Sequence, residues 1–155
     1  MKTQIELHVN GHVHELEVAA HRTLLDVLRQ ELKLFGARQA CGIGMCGVCT
    51  VLVDGKPISA CLTLAVMVQK AAIVTVEGLS QGEALHPIQQ AFVNHNAFQC
   101  SYCTPGFILS AKALLEENPQ PSRAEIRRYL GGNLCRCGSY VNILEAVEAA
   151  AGQVD

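Results

Sequence analysis

Cys41-Gly-Ile-Gly-Met-Cys46-Gly-Val-Cys49 is the stretch on which the reading of this chain turns. Its three cysteines, with Cys61 downstream, have the C-x4-C-x2-C spacing of a plant-type [2Fe–2S] centre. Three thiolates can converge on one small cluster only if the chain curls tightly around it. Gly42, Gly44 and Gly47 permit that curl, because glycine accepts positive φ and close approach. A curled backbone also aims N–H groups at sulfur, which suits a cluster of net negative charge. The same residues match G-x-G-x-x-G, but a dinucleotide site is rejected. The match precedes a strand instead of opening a helix, and no acidic residue follows at ribose-binding distance. A structural zinc site is the stronger rival, yet zinc knuckles pair short C-x2-C hooks and this triple does not.

Outward from the loop, the pattern on both sides is that of a small α+β unit. Ile5, Leu7 and Val9 alternate with Glu6 and His8, the period of a half-buried strand. Asn10-Gly11 is a hairpin turn, and Leu16 and Val18 lie on one face of the return strand. Thr23-Leu-Leu-Asp26 predicts a capped helix start, Leu24, Leu25, Leu28 and Leu32 its apolar stripe, and Gly36 its stop. After the loop come a strand at Thr50–Val53, a turn at Asp54-Gly55 and a return opened by Ile58. A short apolar stretch of one or two helical turns begins at Cys61, and a last strand covers Ile73–Val76. Hairpin, helix, cysteine loop and strands in that order predict a β-grasp domain over residues 1–77.

Gly78 to Gly82 reads as a hinge, and residues 83–155 read as a helical domain. Helices are predicted from Pro87, from Thr104-Pro105 as N-cap and N1, from the capping box Ser122-Arg-Ala-Glu125, and from Tyr140 to Ala151. The first carries Ile88, Ala91 and Phe92. The second carries Phe107, Ile108, Ala111, Leu114 and Leu115, and the last Ile143, Leu144 and Val147. Four short amphipathic helices predict a four-helix bundle. The remaining cysteines, Cys100, Cys103, Cys135 and Cys137, stand just before the second and fourth helices. Free N–H groups and partial positive charge at helix starts favour an anionic cluster there. A thioredoxin-like disulfide at Cys100 and Cys103 lacks its βαβ context. Zinc held by this set is the remaining rival, since C-x-C hooks occur in zinc sites.

Composition narrows the function. Formal net charge is −2, and only 17% of residues are charged while 50% are hydrophobic, which excludes a basic nucleic-acid binder and predicts a packed core. Arg123, Arg127, Arg128 and Arg136 read as a solvated or protein-contact face. The longest apolar run, Leu64–Val68, is too short to span a membrane. With no signal or transit pattern at the N-terminus, the expected location is the cytoplasm, where eight cysteines are metal ligands more readily than disulfides. The six histidines, His8, His12, His14, His21, His86 and His95, show no ligand spacing, and no Ser-His-Asp or paired-carboxylate arrangement is visible.

Four segments, GMCGVCTVLVDG (44–55), ACLTLA (60–65), FQCSYCTPG (98–106) and GGNLCRCGSYVNI (131–143), resemble the iron–sulfur subunit of the molybdenum hydroxylases. This is the xanthine dehydrogenase, aldehyde oxidoreductase and carbon monoxide dehydrogenase family, and the resemblance covers nearly the whole chain. It implies a plant-type ferredoxin-like domain followed by a helical domain, each holding a [2Fe–2S] cluster. It implies partners: a large subunit binding molybdopterin, in cytosine dinucleotide form, and a medium subunit binding FAD. Electrons would pass from molybdenum through the cluster of Cys100, Cys103, Cys135 and Cys137 to that of Cys41, Cys46, Cys49 and Cys61, and on to FAD. Gln99 matches the glutamine that hydrogen-bonds the pterin, and Cys137 the cysteine that is both ligand and pterin neighbour. Ser101 stands where many members have glycine, and Gly138-Ser139-Tyr140 where many have Thr-Gly-Tyr. The latter, with ACLTLAVM and LHPIQQAF, is most similar to bacterial aldehyde oxidoreductases. Hydroxylases of isoquinoline, nicotinate or xanthine type are the alternative, as is a free-standing electron carrier.

Overall fold

The computed structural model describes residues 2–80 and 82–153. Met1, Val154, Asp155 and the hinge residue Gln81 lie outside the described residues. Strands β1 (Lys2–Val9) and β2 (His12–Ala19) form the predicted hairpin, with Ile5 opposite Leu16. Asn10 and Gly11 turn it at φ +52° and +79°, and Asp54 and Gly55 turn the second hairpin at +49° and +77°. Both are the left-handed pair that a two-residue hairpin needs. β3 (Thr50–Val53) and β4 (Lys56–Ser59) form that second hairpin, and β5 (Ala72–Val74) enters between the two. The sheet order is β2-β1-β5-β3-β4, with β5 parallel to β1 and antiparallel to β3. This is the β-grasp arrangement.

Helix α1 (Leu24–Gln30) is capped as predicted, by reciprocal bonds between Thr23 and Asp26. Its first free N–H groups, on Leu24 and Leu25, donate to the carbonyls of Thr63 and Ala60 on either side of Cys61. The helix ends earlier than Gly36: Glu31 is its C-cap, and Lys33 takes the left-handed φ of +58°. Gly36 serves another purpose. A Cβ there would collide with Val76 and Glu77, and the Gly36 N–H donates to Glu77 Oε1 at 2.6 Å. The apolar stretch after Cys61 is one 3-10 turn, Ala65–Met67. The last strand stops at Val74, because Val76–Gly78 winds into another 3-10 turn.

The helical half contains α2 (Pro87–Asn94), α3 (Thr104–Glu117), α4 (Arg123–Tyr129) and α5 (Tyr140–Ala150). α3 is its axis. Pro105 to Ala111 and Ala113 to Leu115 are all buried, so α3 lacks the solvated face that a single apolar stripe predicts. The reason is that α3 packs on the sheet as well as on its sister helices. β3 shows the consequence. Its pleat turns Val51 into the core of β1, α1 and β5, and turns Leu52 into the helical core with Phe107, Ile88 and Phe92. The sheet therefore has α1 on one face and α3 on the other. Asn10 adds a tie, donating to Thr75 Oγ1 and accepting from the Thr75 N–H, both at 2.9 Å.

Candidate metal centres

All eight cysteines are unbridged thiols, and the fold gathers them into two groups of four. The first group is held by the loop between α1 and β3. Gly42, Gly44 and Gly47 all take positive φ, as the spacing predicts. At Gly47 the requirement is double, since a Cβ would also strike the Gly132 carbonyl and Asn133. Cys41 lies beside Cys46, and Cys49 beside both Cys46 and Cys61. The N–H of Ile43 points at Cys41 Sγ at 3.5 Å. That N–H, then the Cys46 thiol and the N–H groups of Cys46 and Met45, pull the Cys41 thiol down to about 6 against the effect of burial. Cys49 is buried just before β3, and burial, reinforced by the Cys61 thiol, pushes it up to about 11.

The second group is assembled from two helix starts. Cys103 is the N-cap of α3, a correction to the assignment of Thr104, which is already in the helix. Cys135 and Cys137 precede Ser139, the N-cap of α5. Cys100 lies beside Cys137, and Cys103 beside Cys135. Burial and then the Cys135 thiol push Cys103 up to about 12. Burial also acts upward on Cys135, but the Ser139 N–H, the Cys103 thiol and the Gly138 N–H outweigh it and lower that thiol. The Tyr102 N–H, followed by the Cys137 thiol, lowers Cys100. Cys103 and Cys135 face the core, whereas Cys100 and Cys137 are exposed.

Gln99 is exposed at this open side, and its Nε2 reaches the Cys137 carbonyl at 3.4 Å. Ser101 takes φ +62°. The loop thus keeps a backbone conformation suited to glycine while carrying a side chain. Arg38 holds it from the other half, donating to the Ser101 carbonyl and stacking on the Tyr102 ring.

The two groups are physically connected. The Leu134 N–H, one residue before Cys135, donates to the Cys46 carbonyl at 2.9 Å. A cleft of about 360 Å³ between the groups is lined by Cys46, Cys100, Cys103 and Cys135 among others. Buried Asn133 donates to the Gly47 carbonyl at 3.0 Å. Thr50 Oγ1 donates to the same carbonyl, and Gly106 of α3 packs against it, so a Cβ at Gly106 would collide. Asn133, Gly106, Arg38 and Tyr140, whose hydroxyl accepts the Cys135 N–H at 2.8 Å, are the site residues that motif reading missed. A polar residue two places before a buried cysteine, and a glycine inside an apolar helix, were the available signals.

The donor chemistry of each group fits a [2Fe–2S] cluster. Four thiols face one another, and backbone N–H groups are aimed at sulfur. Thiols pushed up by burial are neutral until a metal displaces their protons. Among the described residues, no three or more His, Cys, Asp and Glu converge closely enough for a single metal ion.

Residues 7–72 match the 2Fe-2S iron-sulfur cluster binding domain family, and residues 75–148 match the [2Fe-2S] binding domain family. The chain is 48% identical to the aldehyde oxidoreductase iron-sulfur-binding subunit PaoA of Escherichia coli K12, over 97% of this chain and 72% of that one. It is also 48% identical to the nicotine 6-hydroxylase small subunit of Paenarthrobacter nicotinovorans, over 99% and 92%. In the crystal structure of quinoline 2-oxidoreductase from Pseudomonas putida 86, a chain 43% identical superposes with a TM-score of 0.95, covering 99% of this chain and 96% of that one. With both cysteine groups, the β-grasp sheet and the helical half all matched over almost its full length, the chain belongs to the family of [2Fe–2S] iron–sulfur small subunits of the molybdenum hydroxylases.

Proposed function

We propose that this chain is the electron-transfer subunit of a heteromeric molybdenum hydroxylase, with Cys41, Cys46, Cys49 and Cys61 holding one [2Fe–2S] cluster and Cys100, Cys103, Cys135 and Cys137 the other. The observation that carries the reading is the convergence of four thiols twice in one chain, with the Leu134–Cys46 hydrogen bond between the groups. When bound, the clusters supply one-electron transfer between a molybdopterin centre in a large partner subunit and FAD in a medium one. The chain's own residues do the rest. Thiolates fix each cluster, and N–H groups of Ile43, Met45, Tyr102 and Ser139 stabilise negative charge on sulfur. Gly47, Asn133 and Gly106 lock the two halves at one separation.

The exposed side of the second group, Cys100 and Cys137 with Gln99, is the face offered to the pterin, and Gln99 is its hydrogen-bonding side chain. Exposed Ile43 and Met45 border the first group, and we take this as the face toward the flavin subunit. We take residues 1–77 and 83–155 as the two domains. Among the described residues no helix is long and apolar enough to cross a membrane. We take the assembly to be cytoplasmic. The preferred reaction is oxidation of an aldehyde to a carboxylic acid. Hydroxylation of an N-heterocycle is the second reading, favoured by the equal identity to the nicotine 6-hydroxylase small subunit.

Iron and labile-sulfide content together with EPR of the reduced complex tests the assignment. Two distinct [2Fe–2S] signals are expected, and a colourless zinc protein would end it. Cys46→Ser should remove the flavin-side signal and block electron exit while substrate still reduces molybdenum once. Loss of molybdenum reduction in that variant would reverse the order of the clusters.

A further inference from the structure

Ser139 is a helix N-cap that does not cap. A serine in that position ordinarily turns its hydroxyl to the N–H of the next turn. Ser122 does so here, with ψ 156° and a reciprocal bond to Glu125. Ser139 instead has ψ 19° and no side-chain cap bond. It is 6% exposed, and its hydroxyl has no aligned partner in the protein. Leaving a buried hydroxyl unpaired is costly, so an orphan in a well-packed site points to an acceptor beyond the chain's ordinary groups. The sulfur beside it is Cys135 Sγ, which already takes the Ser139 N–H at 3.4 Å. A neutral thiol is a weak acceptor. A metal-bound thiolate carries charge and takes a shorter, stronger bond. The first group offers no counterpart: Thr50 and Thr63 spend their hydroxyls on the Gly47 and Ser59 carbonyls.

We infer that the Ser139 hydroxyl donates a hydrogen bond to Cys135 Sγ once that sulfur is a cluster ligand, and that this bond raises the reduction potential of the second cluster. This rests on the reading that the second group holds a [2Fe–2S] cluster. Reduction adds negative charge, and a donor on the thiolate stabilises the more negative state. Ser139 is thus a tuning residue with no bond to iron of its own. Removing its hydroxyl should change the distribution of one electron between the clusters by about tenfold, equivalent to about 59 mV for a one-electron couple.

The experiment is a potentiometric EPR titration of the whole complex, comparing the native chain with Ser139→Ala and Ser139→Thr. The alanine variant should lower the midpoint of the second-cluster signal alone, and threonine, which keeps the hydroxyl, should restore it. An unchanged midpoint in Ser139→Ala, an equal shift of both signals, or a threonine variant that behaves like alanine overturns the proposal. Should the alanine variant fail to retain its cluster, Ser139→Cys keeps the shape with a weaker donor and must lower the same midpoint; if it does not, the proposal falls. Failure of the underlying reading is distinguishable, because the native complex would then lack a second [2Fe–2S] signal altogether.

Discussion

The two cysteine groups reach the same chemistry by opposite routes. The first is a local device: three of its thiols lie within nine residues, on a loop whose glycines set the curl, and Cys61 is brought in by the β3–β4 hairpin. The second is a tertiary device, in which two short hooks 31 residues apart meet only because α3 and α5 pack in one bundle. A loop-held centre should therefore survive loosening of the surrounding core better than a packing-held one. The difference also decides exposure. The second group, built at helix ends, leaves Cys100 and Cys137 exposed, while Cys49 of the first is buried in the β-grasp core.

The largest test of that contrast is to remove one ligand from each group. Cys41→Ser and Cys135→Ser should each abolish one EPR signal and halve the iron content, leaving the other signal intact. Loss of both signals from Cys135→Ser would mean that the groups are not independent. Next in size is Ile126→Ala. Ile126 is fully buried in the helical core, and the cavity should cost about 3 kcal/mol. In a denaturant titration followed by circular dichroism and visible absorption, the second cluster should bleach first. Simultaneous bleaching would break the distinction between loop-held and packing-held centres.

A smaller effect sharpens it at the Cys100 hook. Ser101 holds φ +62°, and a non-glycine residue there is strained by about 1–2 kcal/mol. Ser101→Gly should raise the thermal midpoint of the helical half, less any added flexibility of the unfolded chain. An unchanged or lower midpoint would show that the added flexibility of the unfolded chain outweighs the relief of strain.

The smallest effect is pH-dependent. His86 caps α2 through a ring nitrogen that accepts the Ile88 N–H. Burial, then the Lys112 ammonium, lowers its pKa, and Glu116 acts the other way. The folded state therefore binds fewer protons than the unfolded chain near the ordinary histidine pKa of about 6.5. Stability from this group is present above that pH and lost as pH falls below it. His86→Asn keeps a capping side chain without a titrating ring, so melting curves between pH 5 and 7 should flatten in that variant. An equal slope in both proteins would remove His86 from the account.

Much of this molecule is legible before it folds. The 2-residue alternation of Ile5, Leu7 and Val9, the turns at Asn10-Gly11 and Asp54-Gly55, and the capping boxes at Thr23 and Ser122 are local signals with local causes, and the elements formed where those signals lie. Where the local signal misled, a tertiary contact had taken over the residue. Gly36 looked like a helix stop and is a contact with Val76 and Glu77.

The chain by itself determined which eight thiols are the candidate ligands, because thiol count and spacing are properties of connectivity. It determined the β-grasp order for the same reason. Tertiary structure alone decided that β3 is buried on both faces, that α3 has no solvated side, and that Asn133 and Gly106 converge on the Gly47 carbonyl. The contacts on the Gly47 carbonyl join residues more than 50 positions apart, where no periodicity carries information. The opening loop is thus complete in sequence, but its alignment with Cys135 through Leu134 exists only once the two cores have packed.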